Sequence, residues 1–247
     1  MVDFDRSLWI DSFGKDKFPP WHCSICNKGI LKADFDTLKY YQTAESKDFC
    51  EHVDCGAEFY KYIGRLDLLC SHCNEPYILT LKGGVDEEYY DGPTGLEKDY
   101  EDYFYPIYCY PPPLVIKIPK DLPDLISRLL LSSFSIFFND FNSAANSIRS
   151  CLDKLCSINS IKGGDLNERL NSLFKKCDID CVEFIQGLKT ICNKGSHAEE
   201  IRVNKEKVQL NLDVILDAYE GLSLLFYELY FSPAAKNNLK NLGKKYD

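Results

Sequence analysis

"CSICN" at residues 23–27 returns as "CSHCN" at residues 70–74. Each stretch sets two cysteines three positions apart and follows the second with Asn, Asn27 in one and Asn74 in the other. Thiolates at i and i+3 on a tight turn supply half of a tetrahedral metal set, and two such turns supply all of it. The Asn that follows each pair suits a left-handed backbone, which Gly and then Asn tolerate best. The pattern predicts one four-cysteine zinc site made of Cys23, Cys26, Cys70 and Cys73. A closed thiolate set has no open coordination position, so its role is to fold a small domain and not to do chemistry.

Cys50, His52 and Cys55 lie between the two halves. They are candidates for part of a second site, or for replacing one member of the first, but no fourth ligand accompanies them. His22 and His72 flank or split the knuckles and read as bystanders. The surrounding segment, residues 1–82, is rich in cysteine and aromatics and holds short β-like runs such as "AEFYKYI" and "YILTL". It reads as a small β-rich zinc ribbon.

The chain has 247 residues, 45% hydrophobic and 27% charged, which suits one large soluble domain or two small ones. It opens Met-Val-Asp-Phe-Asp-Arg, with no basic region leading into an apolar run. Twelve cysteines without such a leader point to a reducing, cytoplasmic setting. Cys151, Cys156, Cys177, Cys181 and Cys192, scattered through helical sequence, read as small buried hydrophobes. The two most apolar stretches begin at Leu125 and Leu210. Arg128 interrupts the first, and Asp213, Asp217, Glu220 and Glu228 interrupt the second, so both read as buried helices and not as membrane spans. The net charge of −9 argues against a protein that coats duplex DNA and leaves room only for a local basic groove.

Residues 83–118 form a distinct acidic, Tyr- and Pro-rich stretch that reads as a connecting strap. Disordered segments are poor in aromatics, so its tyrosines imply packing over the neighbouring domain, or an anionic surface over residues 86–110 for a basic protein partner. Residues 119–247 read as helices throughout. Pro119 and Pro123 open one over about 122–138, and a second covers about 142–157. Asp165 with Glu168 starts a third. A fourth spans about 180–193, and a long apolar fifth about 205–231. Short connections make neighbours antiparallel, which gives a bundle. The fold class is α+β.

The order of these motifs resembles domain-of-unknown-function family 4145. The two CxxC pairs, a "YPP" segment and a Pro-rich entry "IPKDLP" come first. The helix "AANSIRSCLDKL" follows, with Ala144, Ala145, Arg149, Leu152 and Asp153 matching that family's pattern. In "KTICNKGSH", Asn193, Gly195, Ser196 and His197 match a later motif, with Lys189 where Arg is usual and Cys192 where Gly is usual. The resemblance implies a bundle related to the HEPN superfamily (higher eukaryotes and prokaryotes nucleotide-binding). It also implies relatives in prokaryotic restriction, toxin and phage-defence settings, and a homodimer.

His197 is the only histidine in the C-terminal two thirds of the chain. In metal-independent RNA cleavage a His moves a proton and an Arg stabilises charge on phosphorus. Arg149 across the bundle, with Lys189 and Asn193 near the His, would complete such a site. The favoured reading is that Asn193 and His197 cap helix ends and hydrogen-bond inside the bundle, with catalysis as the alternative. The expected function is a binding or regulatory component of a defence system that recognises a protein, RNA or nucleotide. A ribonuclease effector is the alternative.

Overall fold

The computed structural model describes residues 4–10, 12–52, 55–92, 95–176, 201–203, 206–208 and 211–233. Two compact units divide the chain, with the boundary between Leu114 and Val115.

The N-terminal unit begins with a short helix α1 (Ser7–Ile10) and strand β1 (His22–Cys23). Next come β2 (Leu31–Gln42), α2 (Ala44–His52), β3 (Lys61–Cys70), β4 (Pro76–Gly92), β5 (Gly95–Tyr110) and β6 (Pro113–Leu114). Strands β2-β3-β4-β5 make an antiparallel meander in that order, and β1 pairs with β6. Alternation sets the two faces. Leu66, Leu68 and Cys70 of β3, Tyr77, Leu79 and Leu81 of β4, and Phe104 and Cys109 of β5 are buried. A run of rings joins this face to the N-terminal segment: Trp9 stacks on Trp21 at 5.2 Å, Phe18 meets Trp21 at 4.8 Å, and Phe13 meets both Phe18 and Phe104. Phe13 and Phe104 also exchange backbone hydrogen bonds at 3.0 and 2.9 Å.

The helical unit contains α3 (Asp124–Ile136), α4 (Phe141–Ile158), α5 (Leu166–Lys176) and α6 (Leu212–Phe226), with a wider turn continuing α6 to Phe231. Their starts follow local chemistry. Pro123 precedes α3. The Asp140 carboxylate accepts from Ser143 N–H at 2.9 Å, Asp165 from Glu168 N–H at 3.0 Å, and Asn211 from Val214 N–H at 3.1 Å. Ala144 and Ala145 are fully buried. In the core the Ser133 hydroxyl lies 2.6 Å from the Tyr219 hydroxyl and donates to the Ala144 carbonyl at 3.2 Å, satisfying polar groups that would otherwise be costly to bury. Cys151 and Cys156 are buried here, and desolvation pushes the Cys156 thiol up to about 11. Among the described residues no helix is long and apolar enough to cross a membrane.

Two parts of the expected fold are corrected. The β-rich part is not a small zinc ribbon over residues 1–82. It is a four-stranded sheet, and the stretch 83–118 read as a strap supplies the second half of β4 and all of β5. Composition hid the strand period, because tyrosines occupy both faces and blur the contrast between buried and exposed positions. Nor is the C-terminal half an all-α HEPN-like bundle. Strands β7 (Ile201–Val203) and β8 (Glu206–Val208) pair as an antiparallel hairpin before α6. The β-branched Ile201, Val203 and Val208 favour that state over the helix expected from about 205. The expected helix at 180–193 lies outside the described residues.

Candidate metal centre

Two turns of the same build hold the four cysteines. In the first, Cys23 N–H bonds to Gly29 O at 2.9 Å and Asn27 N–H to Cys23 O at 3.0 Å. In the second, Cys70 N–H bonds to Glu75 O at 3.0 Å and Asn74 N–H to Cys70 O at 3.1 Å. Asn27 and Asn74 both take positive φ, 56° and 59°, as the sequence pattern predicts. Ser71 N–H to Ile30 O at 2.9 Å and Ile30 N–H to Ser71 Oγ at 3.1 Å tie one turn to the other.

All four sulfurs lie within 4.8 Å of one another. Cys23 Sγ is 3.8 Å from Cys73 Sγ, and Cys26 Sγ is 3.7 Å from Cys70 Sγ. A tetrahedron with metal–sulfur bonds of about 2.3 Å has edges of about 3.8 Å, so the donor set fits a tetrahedral thiolate-bound metal. Backbone N–H groups point at the sulfurs: Cys26 N–H at Cys23 Sγ, Gly29 N–H at Cys26 Sγ and His72 N–H at Cys70 Sγ, each at 3.4 Å. The Gly29 and Lys28 N–H groups hold the Cys26 thiol down at about 6. The Glu75 N–H pulls the Cys73 thiol down, but desolvation and the neighbouring Cys70, Cys26 and Cys23 outweigh it and carry it up to about 12. Four sulfurs this close cannot all ionise without a cation among them.

Two residues that the sequence reading did not single out complete the centre. Tyr77, fully buried on β4, donates its hydroxyl to Cys23 Sγ at 3.2 Å and accepts from Ser24 N–H at 3.1 Å. Desolvation raises its phenol above the ordinary tyrosine range. The Ser24 hydroxyl reaches Pro112 O at 2.6 Å, next to β6. The other is Gly29, packed against the second turn. Its place in "CNKG" was a usable signal, whereas nothing near Tyr77 in the sequence pointed to Cys23.

The remaining candidates fall elsewhere. Cys50 and Cys55 are joined as a disulfide with Cα atoms 5.3 Å apart. His52 Nδ1 lies 2.7 Å from the Asp48 carbonyl. Among the described residues the only metal-competent cluster is the four-cysteine set. Arg149 is half-buried on α4 and already engaged in an interaction. Asp153, from the same helix pattern, binds Arg169 Nη1 at 2.7 Å, and its carbonyl takes Arg169 Nη2 at 2.7 Å. That motif residue therefore ties α4 to α5. Lys189, Asn193 and His197 lie outside the described residues.

The geometry defines an antiparallel sheet carrying a four-cysteine cluster that fits a metal, followed in the chain by a mainly helical unit. Family comparison divides the chain in the same way. Residues 11–109 match the model of a domain of unknown function, DUF8608, and residues 132–242 match that of a second, DUF4145. No curated protein and no solved structure matches the chain.

Proposed function

We propose that the protein is a binding or regulatory component of a prokaryotic or phage defence system. It works in the cytoplasm and recognises a protein or nucleic-acid partner. A structural zinc ion on Cys23, Cys26, Cys70 and Cys73 fastens the sheet. The observation that carries this reading is the sheet's second face. The first face is sealed by the aromatic run, while the second leaves Ile63, Ile78 and Tyr110 exposed at 54, 49 and 64%. Apolar and aromatic side chains grouped across adjacent strands mark an interaction surface.

A closed thiolate site supplies shape and not reactivity, which suits a binding role. The defence setting is supported by the DUF4145 match alone. The acidic hairpin within residues 86–110 offers a further contact for a basic protein. A homodimer belongs to the same reading, with Leu125, Ile158 and Leu224 as exposed apolar positions on the helical unit.

Purification after mild cross-linking, with retained RNA sequenced and retained protein identified by mass spectrometry, tests the reading. The expected result is a saturable partner that is lost with Ile63→Asp. Recovery of neither class would overturn it. So would RNA cleavage that disappears in His197→Ala and Arg149→Ala, in favour of a ribonuclease effector. Light scattering at micromolar concentration tests the homodimer.

A further inference from the structure

We infer that the open face of the sheet is a platform for single-stranded nucleic acid. Tyr105 and Tyr108 would stack on bases, and Lys39, Arg65 and Lys82 would meet phosphates. This rests on the binding reading above and narrows it to one partner class and one surface.

The chain as a whole carries −9, yet five exposed cations from three adjacent strands fall on this one face: Lys32, Lys39, Lys61, Arg65 and Lys82. The strand register interleaves them with rings. One row across the sheet reads Lys39, Arg65, Thr80, Tyr108, and the next reads Tyr41, Ile63, Lys82, Tyr105. Alternate residues along a strand are about 7 Å apart and neighbouring strands about 4.8 Å, so every cation in these rows lies within reach of an exposed ring. Lys39, Lys61 and Lys82 have no carboxylate partner among the described residues. Arg65 shares a 3.0 Å contact with Asp67, and surface pairs of that kind are weak enough to be exchanged for a phosphate.

Two adjoining clefts open on the same face. One, of about 630 Å³, is lined by Lys39, Tyr41, Ile63 and Arg65 together with Asp36 and Asp67. The other, of about 390 Å³, is lined by Lys61, Ile63, Lys82, Tyr103 and Tyr105. Asp36 and Asp67 would repel phosphate but can accept hydrogen bonds from exocyclic amino groups of bases.

Rings alternating with cations suit a strand whose bases are free, because each nucleotide brings one π-face and one negative charge. A duplex would meet the cations and leave the tyrosines idle. An acidic protein would do the same. The charge then reverses along the sheet: beyond Gly84 and Tyr103 the same face of the β4–β5 hairpin carries Asp86, Glu88, Asp99 and Glu101, which turn a phosphate backbone away.

The test uses the full-length zinc-loaded protein and fluorescence anisotropy. The probes are fluorescein-labelled oligo-U and oligo-dT of roughly 15 nucleotides, and a duplex of the same length, between about 50 and 200 mM salt. The expected result is saturable binding of single strands, with the duplex weaker by about tenfold or more. The triple variant Lys39→Ala, Arg65→Ala, Lys82→Ala should flatten the slope of log K on log salt by about two. Tyr105→Ala and Tyr108→Ala should each weaken binding roughly five- to hundredfold without changing that slope. All five positions are exposed or loosely packed, and circular dichroism with metal analysis confirms folding of each variant.

Absence of binding at the lowest salt overturns the inference, as does equal binding of duplex or binding indifferent to these variants. Displacement by polyglutamate as effective as by oligonucleotide would reassign the face to an acidic protein. If cross-linking recovers a protein partner lost with Ile63→Asp while oligonucleotides fail to bind, this inference falls and the broader binding reading stands. Failure of both removes both.

Discussion

Gly29 stands directly against the sulfur of Cys70. A Cβ at position 29 would overlap that sulfur and lie 2.8 Å from His72 Cβ. Its N–H also points at Cys26 Sγ at 3.4 Å, so one residue without a side chain touches both turns of the metal centre. Gly29→Ala should therefore displace Cys70 and lose most of the bound zinc, measured by elemental analysis. Full metal content in a folded Gly29→Ala protein would contradict this.

Tyr77→Phe keeps the ring and removes the hydroxyl that serves Cys23 and Ser24. Partners of metal ligands typically contribute about 10- to 100-fold in affinity, so zinc should pass more readily to a chromophoric chelator. The Ser24 N–H loses its acceptor, which should cost about 1–2 kcal/mol in denaturant unfolding. An unchanged chelator competition would show the contact to be incidental.

Metal removal should act on one unit. Site formation and folding are coupled in small metal domains, so excess chelator, or Cys70→Ser, should unfold the sheet. Both tryptophans of the chain, Trp9 and Trp21, stack within that unit, so tryptophan fluorescence reports on it alone. The expected outcome is a fluorescence change with helical ellipticity largely retained. Parallel loss of both signals would show that the units do not unfold independently.

Asp140 gives a pH signature in the helical unit. Hydrogen bonds from the Ser143 hydroxyl and N–H hold its carboxyl below the usual range. A depressed folded-state pKa stabilises above the unfolded value of about 3.9, and the contribution fades as pH falls through the lower folded value. Asp140→Ala should cost about 1 kcal/mol at neutral pH. The gap to wild type should narrow in urea melts as pH falls below the unfolded value and through the lower folded one. A gap constant with pH would rule out the carboxylate as its source.

Asp153→Asn should weaken the tie to Arg169 and lower stability by about 1 kcal/mol, while oligonucleotide binding stays at the wild-type level. A large loss of binding with unchanged stability would instead give this helix a ligand role.

The centre was legible where its chemistry is local. Cysteine spacing, the left-handed Asn27 and Asn74, and the caps at Pro123 and Asp165 each depend on residues within one turn. Tyr77 was not legible, because it reaches Cys23, 54 positions away, only through the successive pairing of β2 with β3 and β3 with β4. The strand character of residues 83–110 was masked by like residues on both faces, such as Tyr103, Phe104 and Tyr105 in succession. The hairpin Ile201–Val203/Glu206–Val208 was lost among Lys and Glu, which favour helix.

The β4–β5 hairpin outruns its neighbour. Pairing with β3 ends at Gly84, but β4 continues to Gly92, an overhang of roughly 27 Å at about 3.4 Å per residue. Beyond Glu87 neither rim of this two-stranded ribbon pairs with another strand among the described residues. Bare rims invite a second copy to zip on, and repeated zipping makes fibres. Asp91, Glu97 and Asp99 are the guard against that. Replacing these carboxylates together by amides, Asp91→Asn, Glu97→Gln and Asp99→Asn, would remove the repulsion and leave a tyrosine-lined ribbon ready to polymerise.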